Sequence, residues 1–195
     1  MLKTKIAVLV SGGGTNLQAL IDAQKAGLIN SGEIVLVASN RADAYALTRA
    51  EENGIKAVLM TDEASLLRIF REEGIELIVL AGFLKILSKE FIGAYENRII
   101  NIHPSLIPSF CGKGAYGLHV HEMALDYGVK VTGATVHYVN EIPDGGQIIA
   151  QKAVEILEDD TPEVLQRRVM EQAEWVLLPK AVEQISEKIA RGKKA

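Results

Sequence analysis

Residues 5–16, with the sequence KIAVLVSGGGTN, decide the fold of this chain. Residues 5–10 are an almost uninterrupted apolar run with the length of one buried strand. The glycine-rich SGGGTN that follows predicts a tight turn, and the next residues have the apolar periodicity of a helix. A strand, a glycine turn and a helix in this order are the repeating unit of a parallel α/β sheet.

The same alternation continues along the rest of the sequence. Further strands are predicted over 33–39, 55–60, 75–81, 98–103, 129–139 and 147–156, and helices over 43–53, 62–73, 88–95, 118–127 and 161–191. The connection NEIPDGG is too short for a crossover helix, so we expect the last two strands to pair antiparallel. Pro179 should kink or split the C-terminal helix. The predicted fold class is α/β, a doubly wound, mainly parallel seven-stranded sheet with helices on both faces, antiparallel last strands and a long C-terminal helix.

Length and composition exclude several classes of protein. The 195 residues predict one domain over 1–195. A net charge of −4 provides no basic footprint for a nucleic acid, and Cys111, the single cysteine, can form neither an intramolecular disulfide nor a four-ligand zinc site. The apolar stretch Ile6–Val10 is too short for a membrane span or a signal-peptide core. We therefore expect a cytoplasmic protein that binds neither nucleic acid nor a membrane.

The first glycine-rich turn is a candidate anion site. It leads from a strand into a helix N-terminus, where free N–H groups and the helix dipole favour an anion. Leu17 stands where the dinucleotide fingerprint has its third glycine, and strand two ends in Ser39-Asn40 without the acidic residue that a ribose needs. No Gly-Lys-Ser/Thr follows, which excludes a Walker loop. Two interpretations remain: the turn binds the phosphate of a small substrate, or its glycines only shape a tight turn.

A second candidate site lies at the predicted end of strand five. Asn101 and His103 are two residues apart, so their side chains should face the same side of the sheet at its carboxyl edge, where ligands bind. Both could donate hydrogen bonds to an oxyanion that develops on a carbonyl carbon, although a histidine at such a position is as often structural. Asp144 precedes Gly145-Gly146, and on sequence alone it is a turn residue.

The other side chains with possible chemistry give weaker signals. His119 and His121 are two apart on a predicted helix and point to different faces, which makes them a poor metal pair. His137 lies within a strand, where a buried and hydrogen-bonded role is expected rather than a catalytic one. Cys111 has no motif for nucleophilic chemistry, and Trp175 is most simply a packing residue.

Five motifs occur in order along nearly the whole chain: SGGGTN at 11–16, LAGFLKILS at 80–88, NIHPSLIP at 101–108, GATVHYV at 133–139 and DGGQIIAQ at 144–151. In these motifs the chain resembles the glycinamide ribonucleotide formyltransferases, a family of folate-dependent enzymes of purine biosynthesis. The resemblance implies transfer of the formyl group of 10-formyltetrahydrofolate, a co-substrate, to the amine of 5'-phosphoribosylglycinamide. No metal is implied, and the oligomeric state would be a monomer or a homodimer.

The resemblance also implies roles for individual residues. Asn101 and His103 would hold the oxyanion, while Asp144 would favour the charged imidazole and help to move a proton. A phosphate-binding half, about 1–100, would adjoin a folate-binding and catalytic half, about 80–160. The implied contacts to the phosphorylated amine are Gly12, Gly13, Gly14, Thr15, Asn16 and, on the ribose, Glu174; those to the folate are Leu84, Lys85, Ile86, Leu87, Asn101, Asn140, Glu141, Ile142, Pro143 and Asp144.

The chain departs from the pattern of its relatives at three points. Lys85 stands where many relatives have arginine, which would replace a forked contact by a point charge. Trp175 replaces a common histidine, and Phe110-Cys111-Gly112 replaces a more usual Pro-Gly turn in a loop expected to move on substrate binding. No arginine can be assigned to the folate tail.

Three other functions compete with this interpretation. A formyltetrahydrofolate hydrolase shares NIHPSLIP and GATVHYV with this chain, but that family has an additional N-terminal domain and lacks the SGGGTN loop. A tRNA formyltransferase would need a C-terminal RNA-binding domain and a basic face. A non-catalytic module that senses a phosphorylated metabolite would use the same cleft without His103 taking part in chemistry.

Overall fold

A computed structural model describes residues 3–193 of the 195-residue chain. Its strands are β1 (Thr4–Val10), β2 (Gly32–Ser39), β3 (Lys56–Leu59), β4 (Leu77–Leu80), β5 (Ile99–His103), β6 (Val131–Tyr138) and β7 (Ile148–Glu155). The α-helices are α1 (Thr15–Lys25), α2 (Tyr45–Glu52), α3 (Glu63–Glu73), α4 (Lys89–Ala94), α5 (Leu118–Tyr127), α6 (Pro162–Val169) and α7 (Trp175–Gly192). Every predicted strand and helix is present, with bounds within about two residues of those expected.

The strands form one sheet in the order β3-β2-β1-β4-β5-β6-β7. The first five are parallel, β6 is antiparallel to β5, and β7 is antiparallel to β6. This confirms the predicted fold class. The order reverses between β1 and β4, so the connections that leave these two neighbouring strands run to opposite sides and open a cleft at the carboxyl edge.

Both faces of the sheet are buried, as the apolar run of β1 predicts. Ile6, Val8 and Val10 pack into one core together with α1 and α7. Ala7 and Leu9 point to the other face, into a second core that contains Phe70 of α3 and Phe91 of α4. Alternate residues of one strand thus fill two cores, which holds the end of β1 in a fixed place relative to helices on both sides.

The C-terminal helical region begins as predicted but is interrupted at a different place. The Thr161 side chain accepts a hydrogen bond from the Val164 amide, and Pro162 is the first helical residue. The prediction that Pro179 splits the helix is wrong, because α7 continues through Pro179 and the interruption is a π-helical segment, Met170–Glu174. Pro179 lies in the second turn of α7, where it lacks the N–H that would pair with the Trp175 carbonyl.

Within residues 3–193, no helix is long and apolar enough to cross a membrane.

Candidate active site

A cavity of about 500 Å³ opens at the carboxyl edge of the sheet. Its lining includes Thr15, Asn16 and Glu174, the polar side chains of Asn101, His103, His137 and Asp144, and two apolar segments, 83–87 and 140–143, which we call the apolar wall. The cavity therefore brings together almost all of the residues that the sequence motifs single out. Gly12, Gly13 and Gly14 are not among the lining residues, although Thr15 and Asn16, which follow them, are.

The glycine loop, Ser11–Asn16, is tied to the neighbouring strand ends. The Ser11 amide donates to the Gly82 carbonyl over 3.0 Å, and the Ser11 hydroxyl donates to the Asn40 side chain over 2.6 Å. The same hydroxyl accepts a hydrogen bond of 2.9 Å from the Leu84 amide. Ser11, Asn40 and Gly82 thus meet at one edge of the sheet, and Ser11 joins the glycine loop to the apolar wall.

Gly14 is the glycine that the loop conformation requires. It lies in the left-handed region with a φ of 73°, and a Cβ atom there would lie 2.7 Å from the Cβ of Ala46 on α2. Gly12 and Gly13 have no atom within 4 Å of such a Cβ. The loop then enters α1, whose first turn contains no acidic residue and has no side-chain cap. Its first N–H groups are consequently free to bind an anion.

Glu174 closes the same region from the π-helical segment. It is buried and accepts a 2.5 Å hydrogen bond from the Asn16 side-chain amide. Burial raises the pKa of the Glu174 carboxyl to about 6, although the bond from Asn16 works in the opposite direction. Met170, at the other end of the segment, contacts Thr15, with 3.8 Å between the sulfur and the hydroxyl. The first and last residues of this unusual helical turn therefore both contact the glycine loop, a location typical of π-helical segments at functional sites.

Asn101 and His137 face one another across β5 and β6. They are directly opposed in the register, and the Asn101 side-chain nitrogen lies 3.1 Å from His137 Nε2. The other ring nitrogen of His137 lies 2.8 Å from the Tyr138 carbonyl. A register irregularity between Val136 and His137 accompanies this orientation, as bulges beside functional sites often do.

His103 and Asp144 lie against each other inside the cavity. His103 Nδ1 is 3.7 Å from Asp144 Oδ1, and His137 Nε2 is 3.6 Å from the same oxygen. Both distances exceed a hydrogen bond, so Asp144 lies beside the two rings without a direct hydrogen bond to either. His103 Nε2 lies 2.9 Å from the Phe110 carbonyl, and the Gly112 amide donates to Asp144 Oδ2 over 2.8 Å. The segment 110–112 thus fixes both side chains from the same side.

Asp144 is more than the surface turn residue that its sequence context suggested. It takes a left-handed conformation with a φ of 55°, and its side chain is only 14% exposed. Burial by itself would raise the pKa of this carboxyl, but His137, His103 and the Gly112 amide outweigh it and hold the pKa below its usual range. Gly146 permits the turn because a Cβ there would lie 1.7 Å from the Tyr138 carbonyl oxygen.

The apolar wall presents aliphatic side chains to solvent. Leu84, Ile86 and Ile142 are among the most exposed large apolar residues of the protein, whereas Leu87 is buried. Exposed apolar groups that cluster beside polar ones are typical of a ligand surface. Lys89 of α4 pairs with Glu141 over 2.6 Å and links the two segments of the wall from outside.

Two histidines that were not predicted as site residues, His121 and His137, line the cavity. His137 is buried and hydrogen-bonded as expected, but it also contacts Asn101, which only the pairing of β5 with β6 could have revealed. His121 lines the cavity, and burial, followed by the charge of His103, lowers its pKa to about 4. His119, on another face of α5, is exposed and bonds to Glu122.

Cys111 and the possible metal ligands are the remaining side chains with reactive groups. Burial, and after it Asp144, raise the pKa of the Cys111 thiol, which disfavours the thiolate that nucleophilic chemistry needs. Residues 3–193 contain no group of three or more histidine, cysteine or acidic side chains arranged to hold a metal ion.

The chain is similar to known proteins over most of its length. Residues 4–182 match the formyl transferase family. The chain belongs to this family. Among its relatives, the phosphoribosylglycinamide formyltransferase of Haemophilus influenzae is 40% identical over 192 residues, which cover 94% of this chain and 87% of that protein. A solved structure of glycinamide ribonucleotide transformylase 1 from Symbiobacterium toebii superposes with a TM-score of 0.88 at 40% identity, covering 95% of this chain and 89% of that one.

Some members of the formyl transferase family are much longer than this chain. The chloroplastic phosphoribosylglycinamide formyltransferase of Arabidopsis thaliana is 38% identical over 178 residues, which cover 86% of this chain but only 61% of that protein. The trifunctional purine biosynthetic protein adenosine-3 of Gallus gallus is 44% identical over 193 residues, which cover 94% of this chain and 18% of that protein. The matched region is thus a domain that occurs both by itself and within larger proteins.

Proposed function

We propose that this chain transfers the formyl group of 10-formyltetrahydrofolate to the amine of 5'-phosphoribosylglycinamide, giving the formylated amide and tetrahydrofolate in purine biosynthesis. The observation that supports this most strongly is that one cavity is lined by an anion-binding helix N-terminus, by Asn101, His103 and Asp144, and by an apolar wall. These surfaces suit the phosphate, the reacting atoms and the folate ring, respectively. The names of the relatives favour the same reaction and give no support to the hydrolase alternative.

The reaction begins when the amine nitrogen attacks the formyl carbon and the carbonyl electron pair moves to oxygen. Asn101 and protonated His103 donate hydrogen bonds to the resulting oxyanion. The amine then loses a proton and the folate nitrogen gains one, with Asp144 mediating the transfer through water. Collapse of the intermediate breaks the bond between the formyl carbon and the folate nitrogen, so that atoms and charge balance without a metal.

Hydrogen-bond geometry supports this division of roles. The Phe110 carbonyl can only accept, so His103 Nε2 holds a proton and Nδ1, which faces Asp144, is the nitrogen that gains or loses one. By the same reasoning His137 Nδ1 donates to the Tyr138 carbonyl and Nε2 accepts from the Asn101 amide. His137 thereby orients Asn101 and leaves the second amide N–H for the oxyanion.

Binding of the two substrates divides between two regions of the chain. Gly14, Thr15 and Asn16 take the phosphate, with Gly12 and Gly13 shaping the loop, and Glu174 takes a ribose hydroxyl. The folate ring occupies the wall formed by Leu84, Lys85, Ile86 and Leu87 and the segment Asn140–Asp144. A phosphate-binding half, about 1–100, and a folate-binding half, about 80–160, then meet at the cavity within one formyltransferase domain.

The test is to mix the purified protein with 10-formyltetrahydrofolate and to follow release of tetrahydrofolate with and without 5'-phosphoribosylglycinamide. Release only in the presence of the amine is expected. Release without the amine would show hydrolysis instead, and no release in either case would favour a binding module. His103→Ala separates enzyme from module, because turnover that survived this substitution undiminished would contradict the proposed chemistry.

A further inference from the structure

The positive charge of the glycine loop by itself is smaller than the negative charge of a phosphate monoester. The free N–H groups at the start of α1 amount to about half an elementary charge, whereas a phosphate monoester near neutral pH has a charge of about −1.5 to −2. Glu174 adds a buried carboxyl to the same region. A cationic side chain close to the loop would therefore strengthen the binding of a phosphate there.

Arg49 of α2 is the cation that contacts the loop. Its Nε donates to the Gly13 carbonyl over 2.8 Å, and its Nη1 donates to the Gln18 side chain of α1 over 3.0 Å. The guanidinium also lies over the ring of Tyr45, 4.9 Å from the ring centroid. These three contacts hold the charge beside the loop instead of leaving it to move in solvent.

The side chain of Arg49 passes directly over the glycine that the loop requires. A Cβ atom added to Gly14 would lie 3.5 Å from Arg49 Cδ, so the aliphatic part of Arg49 runs close to this glycine. An arginine has five N–H groups. Only two of those on Arg49 have partners within residues 3–193, which leaves three for a ligand.

Other cations near the cavity are placed differently. Lys85 and Lys113 line the cavity, yet neither makes a hydrogen bond to Ser11–Asn16 in the part of the chain that the structure describes. Arg41, close to the start of α2, is exposed and is engaged by Asp43 in a two-pronged contact. Arg49 is therefore distinguished from its neighbours by direct contact with the loop backbone and by unused donors.

We propose that Arg49 is the cationic residue of the phosphate site and that its charge sets the preference for a phosphorylated over an unphosphorylated amine. The identity of the substrate in this inference rests on the proposed function. The role of the charge does not, because a positive charge beside the loop would favour any phosphate bound there. A hydrogen bond to a charged group is typically worth enough to change affinity about 10- to 100-fold. Loss of the charge should reduce the preference by that factor.

The first experiment compares kcat/KM for 5'-phosphoribosylglycinamide with kcat/KM for the same amine without its phosphate. In Arg49→Gln, we expect the ratio of the two to fall about 10- to 100-fold, through the phosphorylated amine alone. Arg49→Lys should stay much closer to the parent, and Arg41→Gln, the matched control, should not change the ratio. An unchanged ratio in Arg49→Gln would overturn the proposal. A loss in Arg49→Lys as large as in Arg49→Gln would overturn it too, because the residue would then act by shaping the loop.

The second experiment does not depend on turnover. Binding of inorganic phosphate is measured by calorimetry to the parent, Arg49→Gln, Arg49→Lys and Arg41→Gln at one fixed ionic strength. Weaker binding in Arg49→Gln alone supports the proposal, and equal binding in all four proteins contradicts it. If the parent formylated neither amine, the proposed function would fail while this comparison still decided the role of Arg49.

Discussion

The glycine loop and the polar cluster of Asn101, His103, His137 and Asp144 line the same cavity but are built in different ways. The loop is a continuous stretch, Ser11–Asn16, whose shape follows from a strand end, a helix start and one left-handed glycine. The cluster takes its members from β5, β6 and the connection before β7, and segment 110–112 holds it in place. The shape of the loop is thus set locally, whereas the geometry of the polar cluster depends on long-range pairing.

This difference shows in the kind of group that each region uses. The loop offers backbone N–H groups, which no side-chain substitution removes. The cluster offers side chains whose orientation depends on neighbours far along the chain, as the bond between Asn101 and His137, 36 residues apart, illustrates. Substitutions in the cluster should therefore affect the rate most, and those in the loop should affect folding and affinity.

Asp144→Asn should give the largest effect of the substitutions that distinguish the two regions. The amide keeps the size of the carboxylate but loses the charge beside His103, so kcat at neutral pH should fall about 10²- to 10⁴-fold. Single-turnover kinetics would measure this. Asp126→Asn, which changes an exposed aspartate on α5, serves as the control and should be neutral. A rate within a few-fold of the parent would return Asp144 to the status of a turn residue.

Gly14→Ala should show that the loop depends on one glycine. The positive φ and the 2.7 Å approach of Ala46 would both oppose the new methyl group, at a combined cost of about 2 to 4 kcal/mol in unfolding free energy. Urea denaturation would report the cost. Gly12→Ala is the matched variant, because a Cβ there meets nothing within 4 Å and no positive φ opposes it. Equal destabilisation by both substitutions would show that the loop has no such special position.

Glu174→Gln should reveal the cost of burying a charge beside the loop. Because burial raises the carboxyl pKa to about 6 from an ordinary 4.5, the protonated form stabilises the fold below about pH 4.5, and this contribution is lost as the pH rises through 6. A shift of about 1.5 units corresponds to about 2 kcal/mol.

The variant cannot ionise, so its stability relative to the parent should increase by about 2 kcal/mol between acidic and neutral pH. Unfolding free energies measured for both proteins across that range would test this. A stability difference between the two proteins that stays constant with pH would show that burial does not raise the pKa of Glu174. Affinity for the phosphorylated amine should fall even as stability rises.

Lys89→Ala should have the smallest effect. Lys89 and Glu141 are 76% and 53% exposed, and an exposed ion pair contributes little to stability. Thermal unfolding should change little, with at most a small increase in KM for the folate. A large loss of folate affinity would mean that this pair, and not the apolar contacts, holds the two segments of the wall together.

Much of the fold could be predicted because its signals are local. The apolar runs of β1 and β4, the glycine after α3 and the Thr161-Pro162 start of α6 each specify their own element. The π-helical segment Met170–Glu174 could not be predicted, because it has the same apolar period as the helices beside it and differs only in hydrogen bonding. The split predicted at Pro179 is absent, because the helical region is interrupted by a change in hydrogen bonding and not by the proline.

The sequence by itself determined the strands and the glycine loop with the helix that follows it, and through family resemblance it singled out Asn101, His103 and Asp144. Only the tertiary structure placed His137 against Asn101, folded segment 110–112 onto His103 and Asp144, and set Arg49 beside Gly13. The physical reason is the range of the interactions. Helix starts, turns and strand periods arise between residues a few positions apart, whereas the polar contacts that orient the site join residues that only the pairing of strands and packing of helices brings together.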